Sequence, residues 1–465
     1  MKKLSCLLLL VLASLSVSSC FKDLDDEKIQ ASDQEIQDFI YKVMSKHYLY
    51  KGEKPVLADD QFPNQPELDA YLNTFITPED LFSDLLFSQD RFSFLVNNYR
   101  QLEQQFNGTT KNNGMEFGLV QIQSSGEVFG YVRYVLPNTS AEENQVERGM
   151  IFNRVDNQTL TATNFNDLLS PDNYSIGLAT FEAGTLTPLE STISLEKQEY
   201  TENPIFIAKT ITVEQQKIGY LMYNGFRQNF ETELNNAFAD FKAAGIQDLV
   251  IDVRYNGGGS IELCNDLSSM VTGQFNGELF STQVFNQNFD DKEILFNTKI
   301  NSGASINNLN LSKVYVLTSR STASASELLI SSLMPYIEVV QIGSTTVGKF
   351  QGSRTFYDSQ DFSRNGNNLN LGHEYAVQPL ILKSVNANGF TDYVDGLTPD
   401  IEINEDFSNL GILGDPNETL LKAAIDNILG NGRPAPKASQ QIDFSILGES
   451  KMYDATYQRM YVESL

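Results

Sequence analysis

From Lys217 onward the apolar positions alternate between short continuous runs and helical spacing. Ile218 to Tyr223 reads as a strand. Phe230 to Ala244 reads as a helix with Leu234, Phe238 and Phe241 inward and Gly245 as its stop. Leu249 to Val253 is apolar except for Asp252, the pattern of a parallel strand covered on both faces. It runs into Arg254-Tyr255-Asn256-Gly257-Gly258-Gly259, and a helix is predicted over Ile261 to Val271. Lys313 to Leu317 is a further buried strand, broken by the small polar residues Ser321 to Ser324. Helical spacing then holds from Ala325 to Leu333, with Glu327 in the first turn, where the helix dipole favours an anion. Pro335 ends that helix, Ile337 to Ile342 is a strand, and Gly343 to Lys349 is a loop. Strand, helix and strand with short connections predict a right-handed parallel crossover. It places Ser324 at a helix N-terminus and Lys349 just past the next strand. Beyond a polar stretch to Leu371, a strand is predicted over Tyr375 to Leu382 and a helix from Asp415-Pro416 through Ile428.

The first half reads differently. Ser32-Asp33-Gln34-Glu35 is a capping box, and Ile36, Ile40, Val43 and His47 follow one helical face. Thr77-Pro78 opens a second helix with Leu81, Leu85 and Leu86 as its stripe. Asp90-Arg91-Phe92-Ser93-Phe94 follows, and Asn107 to Asn113 is polar enough to read as a linker. From Gly114 to about Thr201 the runs are short and β-like. These changes divide the chain into 1–19, a tether at 20–31, a helical domain at 32–106, a β-rich domain at 114–201, an α/β domain at 202–430 and a tail at 431–465. No element is assigned to residues 441–465.

Charge and composition narrow the function. A net charge of −27 over 465 residues argues against nucleic acid, whose phosphates would be repelled. No 18-residue apolar span follows the first twenty residues, and Leu4 to Leu15, behind Lys2 and Lys3, is too short to cross a bilayer. That segment reads as a cleaved targeting signal. Of three cysteines, Cys6 would leave with it, and Cys264 lies on a helix as a small apolar residue. His47 and His373 have no partners at zinc spacing, so no metal or cofactor is expected. His47, on a helical face, is expected to be structural; no motif frames His373.

Two chemistries compete for Lys349. Gly343-x-x-x-x-Gly348-Lys349 matches a phosphate-binding loop until its last position, where Phe350 replaces the Ser or Thr that holds magnesium. The alternative pairs Lys349 with Ser324, because a Ser hydroxyl needs a base and a neutral amine can serve. The Gly257-Gly258-Gly259 turn is either a tight strand–helix connection or a place where backbone N–H groups face a substrate closely.

Ser324-Ala325-Ser326-Glu327, Thr346-x-Gly348-Lys349 placed 25 residues after Ser324, and Asp252-x-Arg254-x-Asn256-x-Gly258-Gly259 together resemble the C-terminal processing peptidases. Asp395-Gly396-Leu397-Thr398-Pro399-Asp400 resembles that family's closing motif. The resemblance covers about Gly114 to Ile428. It implies a crotonase/ClpP-like α/β catalytic core with an inserted or preceding PDZ domain and a small helical N-terminal domain. It implies Ser324 as nucleophile, Lys349 as base and the backbone N–H groups of Gly258 and Ala325 as oxyanion hole. The family often carries a Gln four residues after the Lys; here that position is Ser353, so Gln351 or Ser353 takes the orienting role. Phe117-Gly118-Leu119, within Met115 to Val120, resembles the carboxylate-binding loop of PDZ domains. It implies capture of protein or peptide substrates with apolar C-termini. Val17-Ser18-Ser19-Cys20 resembles a lipobox, with Cys20 lipidated and the protein anchored in the bacterial cell envelope. The acidic stretch after it is either an export tag or a solvated linker. Three functions follow: an endopeptidase acting on protein tails, a homologue that binds peptides without cutting, and an envelope scaffold.

Overall fold

A computed structural model describes residues 30–431 and 443–463. The expectations for the targeting segment and for Cys20 lie outside the described residues. Helix α1 (Asp33–His47) begins at the expected capping box, in which Ser32 N and the Glu35 carboxylate lie 2.8 Å apart. Helix α2 (Pro78–Leu85) begins at a second box, closed by Thr77 and Asp80. Neither helix has a separate core. Phe39, Val43, Leu81 and Leu85 pack in one cluster with Leu263, Leu267, Leu329 and Ile330 from the α/β half. His47 is buried between the rings of Phe356 and Phe289, and desolvation, with Lys46 and Arg354 nearby, pulls its pKa down to about 3. It is a packing residue, as expected.

The β-rich region contains β1 (Met115–Ile122), β2 (Val128–Val135), β3 (Ile151–Val155), β4 (Asn173–Glu182) and β5 (Thr185–Glu196), antiparallel in that order. The expected linker before it is instead a strand. Thr109–Asn112 pairs with Gln198–Thr201, and the hydroxyls of Thr109 and Thr201 meet at 2.7 Å. β-branched threonines facing each other favour a ladder over a loop.

The central sheet has the order β6-β7-β8-β10-β11-β14, drawn from β6 (Ile205–Val213), β7 (Gln216–Tyr223), β8 (Asp248–Asp252), β10 (Lys313–Thr318), β11 (Glu338–Gly343) and β14 (Ile401–Glu402); β9 (Gly259–Ser260) belongs elsewhere. All neighbours from β7 to β14 are parallel. Helices α3 (Glu231–Ala244), α4 (Ile261–Val271) and α5 (Ala325–Leu333) cover one face, and α6 (Thr419–Ile428) covers the other. Along the strands Leu221, Ile251 and Val316 face the first layer, and Tyr220, Val250 and Tyr315 the second. The bounds of α4 and α5 are those predicted. The strand predicted over Tyr375 to Leu382 splits at Pro379, which has no N–H for a ladder, into Ala376–Gln378 and a longer strand, Leu380–Val385. The last helix starts four residues late, because Glu418 is its cap and accepts from Leu421 N at 3.0 Å.

A third sheet lies beside the site. Its order is β9, β16 (Met460–Tyr461), β12 (Gln351–Ser353), β13 (Leu380–Val385), then Leu279–Phe285 and Lys292–Leu295. The unassigned tail therefore supplies β16 here, and it also supplies β15 (Phe444–Glu449), which lies at the edge of the β-rich sheet beside β1.

The end of β8 is held by a buried ion cluster. Arg254 is fully buried and binds Asp252 at 2.8 Å, Glu418 at 2.7 Å and Glu405 at 3.2 Å. Burial alone would raise the Glu405 carboxyl, but Arg148 and Arg254 hold it down at about 2. Replacing Arg254 with Leu leaves the buried carboxylates of Asp252 and Glu418 without their cation, so a loss of about 3–5 kcal/mol of unfolding free energy is expected by denaturant titration. Because the folded-state pKa of Glu405 is depressed from 4.5, its stabilisation is complete above that pH and is lost as pH falls towards about 2. Glu405→Gln should flatten the wild-type decline in that window.

Candidate active site

The loop between β10 and α5 is fastened to the end of β8 before the helix begins. Thr322 Oγ1 donates to Val253 O at 2.9 Å, and Ala323 N donates to Asn256 O at 3.1 Å. This forces Ser324, the N-cap of α5, to φ 67° and ψ −116°. A side-chain-bearing residue is strained there, and such strain persists only where surrounding bonds over-determine it. Ser324 is fully buried, and its Oγ has no hydrogen-bond partner among the described residues.

The Glu327 carboxylate joins the two halves of the site. One oxygen, Oε2, accepts from Ser324 N at 2.7 Å and from Lys349 N at 2.9 Å. The other, Oε1, accepts from Gly348 N at 2.7 Å and Thr346 Oγ1 at 2.5 Å. Burial pushes this carboxyl up while the four donors pull it back. Burial prevails, so the carboxyl lies above the ordinary glutamate range, while the three amides and the Thr346 hydroxyl aimed at it favour the ionised form. The 25-residue separation of Ser324 and Lys349 is thereby closed through a single oxygen atom. Gly348, at φ 90°, permits the close turn: a Cβ there would stand 2.3 Å from Val394 O.

Lys349 is fully buried, and its Nζ has no hydrogen-bond partner among the described residues; it lies 4.8 Å from the centre of the Phe92 ring. Desolvation lowers its pKa well below the ordinary lysine range. Arg459 adds to the shift, while Asp90 and Glu327 oppose it. A neutral amine is the form a general base requires.

The glycine turn touches the serine directly. A Cβ on Gly258, which sits at φ 109°, would lie 2.7 Å from Ser324 Cβ. Gly258 N donates to Asn256 Oδ1 at 2.8 Å, so that amide is engaged within its own turn. Ala325 N is the first amide of α5, one of those a helix cannot satisfy internally.

Two expectations need correction. Gln351 does not bond Lys349: its Nε2 donates to Tyr50 OH at 3.0 Å, because this position on β12 faces the N-terminal helical layer. Ser353 does not bond it either, since its Oγ donates to Met460 O at 3.0 Å. Phe117-Gly118-Leu119 is not a loop but the middle of β1. Phe117 and Leu119 are core residues, and Gly118 makes room for Tyr131, whose hydroxyl would stand 2.5 Å from a Cβ there. His373 bonds Asp358 at 3.0 Å, in contact with neither Ser324 nor Lys349. Cys264 is buried behind the serine with its Sγ 3.1 Å from Ala325 O, and burial raises its thiol well above the ordinary range.

The family model for Peptidase family S41 matches residues 217–403, and that for the Peptidase S41 N-terminal domain matches residues 35–94. The chain belongs to peptidase family S41. The S41 match spans β7 to β14 and so contains Ser324, Glu327 and Lys349. The chain is 23% identical over 344 residues to a carboxyl-terminal-processing protease of Synechocystis, across 70% of this chain and 74% of the relative. It is 23% identical over 265 residues to a CtpA-like serine protease of Staphylococcus epidermidis, across 56% of this chain and 48% of that relative. In fold it is similar to an S41 protease from Bacteroides fragilis, with a TM-score of 0.63 and 24% identity over 84% of this chain and 97% of that one. The fold is therefore that of an S41 peptidase, mixed α/β with several sheets.

Two features of this S41 site lie beyond sequence reasoning. Glu327 was legible only as an anion at a helix start, whereas it bridges both halves of the site. Phe92 belongs to the Asp90–Phe94 run, but nothing in a linear pattern puts its ring under Lys349. Glu327→Gln places an amide NH₂ against N–H donors. It should cost about 1–3 kcal/mol of stability by denaturant titration. Casein hydrolysis should fall by about 100-fold through misplacement of the serine and lysine backbones.

Proposed function

We propose that this S41 peptidase cleaves protein tails through a Ser324/Lys349 dyad and an acyl-enzyme. The observation that carries this reading is the pair of buried, unpartnered groups, Ser324 Oγ and Lys349 Nζ, held by one Glu327 oxygen. Buried polar atoms are rarely left unpaired without a functional reason. Ser324 Oγ attacks the scissile carbonyl, and the neutral Lys349 amine takes its proton and returns it to the leaving amine. The amides of Ala325 and Gly258 stabilise the oxyanion once Gly258 N turns from Asn256 to the substrate, at about 3 kcal/mol per donor. Action on tails is supported by the likeness to the Synechocystis carboxyl-terminal-processing protease.

The β-rich region at 114–201 acts in this reading as a PDZ-like module, taking a peptide as an added strand on β1. The amide of Gly258 committed to its own turn favours, as a second reading, a homologue that binds peptides without cutting. Attachment to the cell envelope rests on Cys20 alone; Cys20→Ser should release the protein from the membrane fraction, and retention there would refute the anchor.

Ser324→Ala should abolish casein hydrolysis with little change in melting temperature. Lys349→Arg should also be inactive, since Arg keeps its proton. The folded-state pKa of Lys349 is depressed, so the wild-type rate should rise with pH as the amine loses its proton. A flat profile from about pH 5 to 9, or an active Arg variant, refutes Lys349 as the base, whereas no hydrolysis by the wild type favours the non-cutting reading.

A further inference from the structure

The tail lies along the route a substrate would take. β15 pairs antiparallel with β1, from Phe444 opposite Ile122 to Glu449 opposite Gly118, with Leu447 as the extra residue of a bulge. Ser450 N then donates to Phe117 O at 3.0 Å, and Phe117 N donates to Ser450 Oγ at 3.3 Å. These are the backbone groups assigned above to an incoming peptide.

The next contacts lead into the catalytic half. The Glu449 carboxylate is buried, ion-paired with Arg133 of β2 and bonded to Ser321 Oγ at 2.7 Å, three residues before Ser324. Tyr457 OH closes the same carboxylate from the tail side. Lys451 binds Glu202 at 2.6 Å. The chain then crosses the glycine turn. A Cβ on Gly257 would lie 3.1 Å from Gln458 N, and one on Gly258 would lie 2.6 Å from Arg459 O. The space beside Gly258 is thus bounded by Arg459 O on one side and Ser324 Cβ on the other. β16 ends the path, with Met460 opposite Gly259 and Tyr461 opposite both Ser260 and Ser353.

We propose that residues 443–463 are an intramolecular occupant of the substrate track, and that a substrate must displace them to reach Ser324. This rests on the peptidase reading of the same site. The surface so defined has three parts: the edge of β1 that β15 covers, the Arg133–Ser321 pocket and the Gly257–Gly259 turn. Its partner is an extended polypeptide that adds to β1 as a strand and brings a carboxylate to Arg133. Glu449 fills that role in cis. The seated tail also accounts for the silent geometry of the site. It keeps Arg459 beside Lys349 and a backbone carbonyl against the glycine turn, while Gly258 N stays on Asn256.

The test uses the full chain and two readouts. The first is kcat/KM on dye-quenched casein for wild type, Glu449→Gln and Glu449→Lys, the last setting a cation against Arg133. The second is fluorescence anisotropy of a labelled peptide of residues 443–463. It is bound to Ser324→Ala and to Ser324→Ala/Glu449→Lys, and needs no catalysis. A rise of about tenfold or more in kcat/KM is expected for Glu449→Lys, on the scale of losing a buried ion pair, and a smaller rise for Glu449→Gln. The peptide should bind the double variant at least about tenfold more tightly than Ser324→Ala, and its own Glu449→Gln form should bind more weakly. If Glu449→Lys melts early, the nearly isosteric Glu449→Gln carries both readouts. Hydrolysis by neither protein, with the binding difference intact, refutes the peptidase reading and keeps the occupant. Equal peptide binding with unchanged kcat/KM overturns the proposal. A chain found by mass spectrometry to end at Arg459 also overturns it, since the tail would then be substrate.

Discussion

A single buried carboxylate holds the catalytic half of this molecule in register. Without Glu327 the N-terminus of α5 would have an unsatisfied amide at Ser324, and the loop after β11 would have three unsatisfied donors. In a dry interior each such group costs far more than a hydrogen bond contributes. The alternative is one anion that answers all four, and it answers them only when the crossover from β10 through α5 to β11 has its observed geometry. The strained Ser324 backbone is sustained by this arrangement, which fixes the direction of the hydroxyl. The same anion lies close enough to oppose the loss of charge on Lys349, yet desolvation wins, because the ammonium has no hydrogen bond to replace its water.

The elements that position this site were legible because local pattern and global burial agree there. α4 and α5 have apolar spacing interrupted by clear caps, and β8 and β10 are too apolar to be anything but covered strands. Where the reading failed, a distant contact decided. Gln351 has the right sequence offset for Lys349, but its side chain is claimed by Tyr50 of another region. Phe117-Gly118-Leu119 has the composition of a loop, but Gly118 is there for the ring of Tyr131. Thr109–Asn112 reads as a polar linker because its partner lies nearly ninety residues away. The tail was opaque for a related reason. Its strands are short, polar and bulged, and their stability comes from edges supplied by the rest of the chain.

The two ion clusters near the site differ in kind. Arg254, Asp252, Glu405 and Glu418 join the end of β8 to the segment after β14 and the cap of α6, all within the α/β half. Arg133 and Glu449 join the β-rich sheet to the segment 443–463. An ion pair of that type is a weak source of net stability, since its desolvation nearly cancels its attraction, but it is a sharp determinant of which partner fits.

The position of β16 also bears on the order in which the molecule can be built. It lies between β9 and β12, strands drawn from regions about two hundred and one hundred residues earlier, and Met460 is wholly enclosed. During synthesis Ser324 and Lys349 exist well before this strand does, and until it arrives β9 has no neighbour on that side. Pairings of such long sequence separation form late, because loop-closure entropy must be met before any contact rewards it. The nascent chain therefore passes through a stage with Ser324 and Lys349 made and an open slot beside them, which β16 closes later.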